Sequence, residues 1–517
     1  MVENMKTSRV KLSVINSLVS TITQIVTILL RFVTQTIFIH TLGATYLGIN
    51  GLFTNIISVL SFADLGIGAA ITYSLFQPIA ESDMKVVNAI MSFYRKAYHT
   101  IAILVAFLGV LLLPYLDFFV KSNKVENIKF IFVLFLFNVV VSYFFSYKQT
   151  LLIADQKGYI CSIVQCSLLV VKAAGQIFVL TILNNFYLYL VIQILVTVLT
   201  NVILSGIISK SYPTLEMNRS IKIPKGIFKQ IKGNTLGMIG SKFGEIALSS
   251  TDNIIMSMFI GLTTVGVYSN YVLIINSVST LIMQFLGSVS ASIGNFAVGV
   301  SDKSKQYQLL ERHLYINKLI TTIAATCLIG MLNPFIILWV GKKYIFSNTV
   351  LYLMILNFTI GSIRQTPITF ISAYGLFRKI GFKSIIEAAV NVLVSILMVT
   401  KFQMGVDGVL VGTLVSNIAV NWFYEPYVVL HFGINVSGYG CFIKKYFIAF
   451  FTVVGACVLN QFVIDLVSFQ GIFGLLLNGV ISLIISILLI LLISHKSDEF
   501  RFYSNLIITI FKRRSRY

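Results

Sequence analysis

Charged side chains are scarce in this sequence. Asp, Glu, Lys and Arg make up 11% of its 517 residues, against roughly 25% in a typical soluble domain. Hydrophobic residues make up 57% and the mean hydropathy is +0.90, which is more apolar material than a soluble core needs. Largely apolar runs such as 472–493 are long enough to cross a membrane as a helix, which takes about 20 residues. The composition therefore excludes a soluble protein and predicts an all-α, polytopic membrane protein.

Sequence signatures of catalysis and metal binding are also lacking. There is no H-E-x-x-H, no Walker loop, no G-x-S-x-G and no D-x-D sugar-nucleotide motif. The five cysteines form no C-x-x-C pair and no zinc-type spacing with histidine, which favours a packing role. No large loop is expected on the outer side of the membrane to hold an active site. We therefore expect no enzymatic activity, no metal site and no cofactor.

About fourteen apolar segments follow one another along the chain, separated by polar breaks. We predict spans near 16–39, 46–73, 92–114, 128–147, 159–182, 186–209, 233–260, 265–298, 314–340, 348–371, 383–400, 406–429, 444–464 and 471–493. Basic residues collect in alternate breaks, chiefly 210–232, 303–312 and the tail 512–516, and such loops stay cytoplasmic. Both termini are therefore predicted to be cytoplasmic, and most of the net charge of +21 reflects membrane topology rather than nucleic-acid binding.

A repeat relates the two halves of the chain. Residues 42–49 (LGATYLGI) align with 260–267 (IGLTTVGV), and each segment joins two predicted spans. Shorter echoes follow in the same order: 148–150 with 364–366, and Pro114 with Pro334. Parallel repeats of about six helices each are a transporter architecture, in which the substrate path lies between the repeats.

The longest polar break gives the domain boundaries. We predict an N-lobe at 1–210 with helices 1–6, a basic cytoplasmic linker at 211–232, a C-lobe at 233–437 with helices 7–12, and helices 13 and 14 with a basic tail at 438–517. The linker fits either a short amphipathic helix lying on the anionic inner leaflet or an ordinary basic loop.

Ionisable residues lie inside several predicted spans. Such a group costs at least about 2.5–3.5 kcal/mol at the bilayer centre, so it normally faces a bundle interior or a wet cavity. The cations are Arg31, Lys172, Lys242 and Arg364, and the acids are Asp64, Glu245, Asp252 and Glu387. Several cations within the membrane indicate an anionic passenger, and Arg31, deep in the first span, is the clearest case.

The acids have two interpretations. Lys242, Glu245 and Asp252 share one face of a helix, which suggests a cavity lining. Alternatively, Lys242 and Glu245 neutralise each other as an i, i+3 pair, and Asp64 satisfies a neighbouring helix end.

Several segments resemble Wzx-type polysaccharide repeat-unit flippases. The segments are 42–53, 63–71, 78–81, 153–159 and 252–255, with Gly261, Val265, Gly266 and Tyr268. The resemblance implies the fold of the multidrug/oligosaccharidyl-lipid/polysaccharide exporter superfamily, which has two six-helix lobes and, here, two further C-terminal helices.

The function implied by this resemblance is a flippase in the bacterial plasma membrane. It would move undecaprenyl-diphosphate-linked oligosaccharide to the outer leaflet for capsule, exopolysaccharide or O-antigen-type synthesis, alongside a polymerase and glycosyltransferases of the same pathway. On that analogy Arg31, Lys172, Lys242 and Arg364 contact the diphosphate in a cationic cavity. The acids Asp64, Glu245 and Asp252 are then candidates for ion coupling or for lining the cavity.

Three other functions remain open at this point. A lipid II flippase shares the fold and an anionic lipid diphosphate. A multidrug cation antiporter shares the fold, but a basic lumen would repel its substrates. A membrane polysaccharide polymerase or glycosyltransferase would be equally hydrophobic, yet needs an outer catalytic loop.

Overall fold

The fold is helical throughout the described part of the chain. A computed structural model describes residues 2–61, 67–120, 125–215, 223–287, 290, 293–294, 302–467 and 469–505, with side chains from 15 onward except 17, 69, 225, 230, 234, 236–249 and 378. Eleven of the described helices are long and apolar enough to cross a membrane. One of them, Leu18–Leu60, is interrupted at Gly43, so eleven counts helices and not crossings. The all-α membrane fold is confirmed, and the number of fourteen spans stays a prediction.

The chain divides into two compact units, Met1–Ser269 and Asn270–Tyr517. The helices of unit 1 are α1 (Val2–Leu60), α2 (Ile67–Ala80), α3 (Met84–Leu112), α4 (Leu116–Phe119), α5 (Ile128–Ser146), α6 (Gln149–Ala154), α7 (Gly158–Phe178), α8 (Phe186–Ser211), α9 (Lys225–Phe259) and the start of α10 (Leu262–Gly287). Unit 2 holds the rest of α10, α11 (Lys303–Trp339), α12 (Asn348–Ile363), α13 (Gln365–Ala373), α14 (Phe377–Thr400), α15 (Val406–Ser416), α16 (Trp422–Val428), α17 (Tyr439–Val467) and α18 (Gly471–Ser494).

The predicted linker contains the start of a long helix. α9 begins at Lys225, directly after Pro224, and runs without a break to Phe259. Ile231 is buried and the ring of Phe228 lies 5.8 Å from that of Phe93 in α3. Residues 225–232 are therefore the first two turns of the long helix α9, packed in part on protein, and not a loop. A position of these turns on the inner leaflet stays a prediction, and 216–222 lie outside the described residues.

Both copies of the sequence repeat turn the chain at a glycine. Gly43 and Gly261 occupy equivalent positions, and both have positive φ, 80° and 132° respectively. This region of backbone conformation is open to glycine and strained for most other residues. The equivalence predicted from the sequence therefore holds for the backbone at these two turns.

The two copies also pack on each other within unit 1. A Cβ added at Gly48 would lie 1.9 Å from the carbonyl oxygen of Leu262, and one added at Gly266 would lie 1.8 Å from that of Ala44. In the repeat alignment Gly48 corresponds to Gly266, and Ala44 to Leu262, so the contact is reciprocal. The equivalent hydroxyls of Thr45 and Thr263 lie 3.1 Å apart. Glycine at both positions lets the two backbones approach closely, as small residues do at membrane helix crossings.

In unit 2, the last two helices pack on α11 through small and polar side chains. Small or polar residues of α18 recur every four to eight residues and are buried: Gly474, Asn478, Ser482, Ser486 and Ser494. Ser486 hydrogen-bonds Thr326 at 2.6 Å, and Asn478 donates to the Gly330 carbonyl at 3.1 Å. Such bonds hold helices together where lipid removes the hydrophobic driving force.

We expect Gly48→Ala and Gly266→Ala each to lower the unfolding temperature of the purified protein in detergent. The added methyl group must push two backbones apart, and overpacking of this kind typically costs about 1–3 kcal/mol. Gly206→Ala in α8 is the matched control, since nothing lies within 4 Å of its Cβ position. Thermal unfolding measured on all three variants makes the comparison. Unfolding temperatures for the first two equal to that of Gly206→Ala would contradict the close crossing.

Candidate functional site

One side of α1 carries polar side chains. Ser20, Gln24, Thr27, Arg31 and Gln35 recur at spacings of three and four residues and therefore share one face. The opposite face is apolar and exposed, with Leu18, Ile22, Ile25, Leu29 and Val33. An exposed apolar face on a membrane helix contacts lipid, so the polar face points toward the interior of the protein.

Arg31 is exposed on that inward-pointing face. Because the lipid-facing residues lie on the other side of α1, its guanidinium is directed away from hydrocarbon. A charge at this depth is tolerated where it borders a water-filled space. The exposure of Arg31, on the face opposite the apolar side of α1, therefore indicates a position that water can reach.

Lys172 lies in α7, which packs against α1, and its charge is repelled by that of Arg31. The register of the two helices is set at one end, where Asn16 of α1 accepts a hydrogen bond from the Tyr159 amide at 2.7 Å and donates to the Gln156 carbonyl at 2.8 Å. From that end, Arg31 lies about 22 Å along α1 and Lys172 about 20 Å along α7, at 1.5 Å per residue. Both cations thus lie at nearly one depth, about two thirds of the way along α7.

We call Arg31 and Lys172 the cation pair. Among the described residues, neither has a carboxylate within ion-pair distance. Two adjacent positive charges without a counter-charge attract an anion strongly in a space that is shielded from bulk water. The arrangement suits a ligand with one or more phosphate groups.

Arg364 is in a different situation, because carboxylates already neutralise it. Its guanidinium donates to both oxygens of Glu425, Nε to Oε2 at 3.0 Å and Nη2 to Oε1 at 2.6 Å. Nη1 donates to Asn417 and lies 3.6 Å from Glu387. Arg364 thus forms a bidentate ion pair in unit 2, with its side chain only 13% exposed.

Lys383 completes a buried four-charge cluster with Arg364, Glu387 and Glu425. Its ammonium lies 2.8 Å from Glu425 and 3.4 Å from Glu387. Asn421 also donates to Glu387. The two cations and two carboxylates sum to zero, so the cluster offers no excess positive charge to an anion. Breaking one pair would leave an unpaired charge in the interior, which is strongly unfavourable.

The cluster lies where the helices are irregular. Arg364 itself separates α12 from α13, and Glu425 lies in the short α16 between two π-helical segments, Asn417–Asn421 and Val429–Ile434. Segments of π-helix occur frequently at functional sites, because the extra residue redirects side chains.

The sequence identifies Arg364 and Glu387 as charges within predicted spans, but it does not identify Glu425 and Lys383 as their ion-pair partners. Glu425 lies within the predicted span 406–429, so its position in the sequence alone indicates a charge inside the membrane. Lys383 stands at the edge of the predicted span 383–400, in sequence next to a basic loop, whereas the structure buries it inside α14.

The remaining predicted residues are placed less fully. The backbone of Lys242 and Glu245 belongs to α9, and their side chains lie outside the described residues. Asp64 lies outside them altogether. Asp252 is 9% exposed in α9 and interacts electrostatically with Tyr268. Within the part of the chain that is described, no group of three His, Cys, Asp or Glu could hold a metal ion.

Comparison with protein families identifies the lineage of the chain. The family model described as polysaccharide biosynthesis protein matches residues 13–291, more than half of the sequence. The chain belongs to this family. The family match includes both members of the cation pair, and it confirms the resemblance stated from the sequence at the level of the superfamily. No curated protein matches the sequence.

Solved structures with the same fold are transporters. The lipid II flippase MurJ, in an inward closed conformation, superposes with a TM-score of 0.65 at 15% identity, covering 96% of this chain and 100% of MurJ. An inward-facing multidrug resistance MATE family transporter gives 0.57 at 15% identity, with 81% and 94% covered. A MATE transporter from Vibrio cholerae gives 0.54 at 15% identity, with 83% and 99% covered. At these identities the likeness shows the fold that this member of the polysaccharide biosynthesis family adopts.

We expect Glu425→Gln to destabilise the protein by about 3–5 kcal/mol, because it leaves two buried cations with one carboxylate. The double variant Glu425→Gln/Lys383→Met restores charge balance and should recover part of that loss. Unfolding temperatures in detergent, with the exposed Asp498→Asn as control, measure both effects. A single variant as stable as wild type, or a double variant less stable than the single one, would contradict the charge-balance argument.

Proposed function

We propose that this protein is a flippase for a lipid-linked anionic saccharide. In this proposal it moves undecaprenyl-diphosphate-linked oligosaccharide repeat units from the cytoplasmic to the outer leaflet of the bacterial plasma membrane. The product serves capsule, exopolysaccharide or O-antigen-type synthesis, in which a polymerase and glycosyltransferases act on the same lipid. The protein itself performs no catalysis in this scheme.

The observation that carries the proposal is the cation pair, which has no carboxylate within ion-pair distance among the residues whose side chains are described. Arg31 and Lys172 lie at similar distances along the packed helices α1 and α7, and Arg31 is on the face of α1 opposite its exposed apolar side. A diphosphate provides the missing negative charge, and a planar guanidinium can bind phosphate oxygens through two parallel hydrogen bonds. The membership of the chain in the polysaccharide biosynthesis family supports a saccharide as the group attached to that diphosphate.

The different surroundings of Arg31, Lys172 and Arg364, the three predicted cations whose side chains are described, support a specific binding position. Arg364 is held by Glu425 and Glu387, so a ligand would have to displace an internal carboxylate to reach it. The cation pair has no such competitor among the described residues. We therefore assign diphosphate binding to Arg31 and Lys172, and a structural role in unit 2 to Arg364.

The orientation of the protein in the membrane and the energy source for transport are also part of the proposal. Basic loops in alternate breaks favour cytoplasmic termini. Alternating access of the two predicted lobes would carry the saccharide across while the lipid tail stays in the bilayer. Moving negative charge outward is favoured by about 2.3 kcal/mol per charge at 100 mV, negative inside. The potential can therefore drive part of the transport, and Asp252 remains a candidate for ion coupling.

We expect Arg31→Ala and Lys172→Ala each to reduce flipping by about 10- to 100-fold, since a hydrogen bond to a charged group contributes about 1.5–3 kcal/mol. The assay is outward movement of fluorescently labelled undecaprenyl-diphosphate oligosaccharide in proteoliposomes. Arg31→Lys should retain part of the activity, because it keeps the charge and loses the planar fork. Leu29→Ala, on the lipid-facing side of α1, is the matched control. Full activity of the Arg31→Ala variant would refute the proposal.

Transport should also respond to membrane potential. Imposing 100 mV, negative on the side from which the lipid departs, should shift the final distribution by up to about 50-fold for each negative charge that crosses. Valinomycin with a potassium gradient sets the potential, and the labelled lipid reports the distribution. Indifference to the potential would exclude electrogenic export.

A deletion strain distinguishes the competing functions. Loss of the gene should leave oligosaccharide-linked lipid on the cytoplasmic leaflet, detected by its protection from an externally added oxidising reagent. Accumulation of unpolymerised units on the outer leaflet would indicate a polymerase. Trapped peptidoglycan precursor with normal polysaccharide lipids would indicate a lipid II flippase.

A further inference from the structure

α1 and α7 repeat the same pattern of side chains. In each helix a glutamine precedes the cation by seven residues, Gln24 before Arg31 and Gln165 before Lys172. Seven residues are two helical turns, so each glutamine lies on the same face as its cation and about 10.5 Å nearer the end set by Asn16. The matched register of the two helices places Gln24 and Gln165 within about 3 Å of one depth.

Gln165 is exposed on a face of α7 that is otherwise buried. Cys161 and Leu168, one turn away on either side, are 5% and 9% exposed. The opposite, lipid-facing side of α7 presents Ile163, Val170, Val171 and Phe178, which are about half exposed. The exposure of the Gln165 amide is therefore on the side of α7 away from its exposed apolar residues. This is the face that also carries Lys172, two turns further along the helix.

A chain of amides extends from Gln165 into unit 1. Its Nε2 donates to Oε1 of Gln149 at 3.0 Å, and Nε2 of Gln149 donates to Oδ1 of Asn201 at 3.1 Å. Asn201 is buried and donates to the Thr197 carbonyl at 2.9 Å. Each hydrogen bond thus orients the next amide in the series, and the carbonyl oxygen of Gln165 lies at the exposed end of that series. Gln24 makes no side-chain hydrogen bond to the described residues.

We infer that Gln24, Gln149 and Gln165 form a subsite for the uncharged, hydroxyl-rich saccharide of the ligand, two turns from the cation pair. This inference rests on the proposed function, because it assumes that a phosphate group occupies Arg31 and Lys172. An amide offers both a donor and an acceptor, and a sugar hydroxyl needs both. The orientation follows from the spacing: the diphosphate lies at mid-membrane and the saccharide on the side of Asn16.

The composition of this subsite fits a neutral ligand portion. No acid or base lies on the polar face of α1 between Gln24 and Arg31, or of α7 between Gln165 and Lys172. Neutral amides discriminate among hydroxyl arrangements through the geometry of their donors and acceptors, because a ligand with the wrong arrangement forms fewer of these hydrogen bonds. The subsite would therefore contribute to selection among saccharides, while the cation pair recognises the part common to all of them.

The experiment compares two probes on the full-length protein in nanodiscs: undecaprenyl diphosphate, and undecaprenyl-diphosphate oligosaccharides extracted from cells of the source strain lacking this gene. Wild type should bind the oligosaccharide form more tightly. Gln165→Leu and Gln24→Leu should lower the affinity for the oligosaccharide form by about three- to tenfold, corresponding to one or two hydrogen bonds. The affinity for undecaprenyl diphosphate should stay unchanged. Ser167→Leu, on the lipid-facing side of α7, should change neither. The unfolding temperature without ligand is measured in parallel.

Two results would overturn the inference. One is equal affinity of wild type for both probes. The other is that the glutamine variants affect both probes alike, or neither, since amides that merely join helices would alter stability and not saccharide binding. Arg31→Ala separates this inference from the function on which it rests. This variant should have a lower affinity for both probes. Undiminished binding of undecaprenyl diphosphate would reject the cation pair as the binding site of the diphosphate.

Discussion

The cost of placing a charge in hydrocarbon governs how this protein is built. Each ionisable side chain within the membrane needs either water or an opposite charge. The two compact units use different solutions. In unit 1, Arg31 is exposed on the face of α1 opposite its apolar side, and Lys172 is partly exposed in the neighbouring α7. In unit 2, Arg364 and Lys383 are enclosed with Glu387 and Glu425, and their charges cancel. Among the described side chains, Arg31 and Lys172 in unit 1 have no ion-pair partner, whereas the four charges of the cluster in unit 2 sum to zero.

Much of the fold could be predicted because hydropathy is a local property of the sequence. Apolar runs identify membrane helices without knowledge of their partners, and the repeat at 42–49 and 260–267 identified the two turns whose glycines adopt positive φ. The breaks within helices were not predictable in the same way. The interruption at Arg364 and the π-helical segment at Asn417–Asn421 depend on tertiary contacts that reshape an otherwise continuous apolar run.

In the candidate site, too, single residues could be predicted from the sequence, whereas their contacts could not. Arg31 and Lys172 were recognisable one at a time, since each is a cation within an apolar segment. Their pairing depends on the relative register of α1 and α7, which a hydrogen bond from Tyr159 to Asn16 fixes far from either cation. Similarly, Arg364 was recognisable as a buried charge, but sequence alone could not show that two carboxylates from other helices neutralise it. Hydrophobic periodicity predicts which face of a helix is buried, but only the packed structure shows which helix that face contacts.

The reciprocal contact of Gly48 and Gly266 has a further consequence. Each copy of the repeat presents the same small residue to the same carbonyl of the other copy, which is the arrangement found across a twofold axis between identical subunits. Two separate chains carrying this segment could associate as a symmetric dimer through it. Within one polypeptide the same interface needs only these two short segments, and the rest of each half is free to differ in sequence. The positive charges of α1 and α7 and the neutral cluster of unit 2 are such differences.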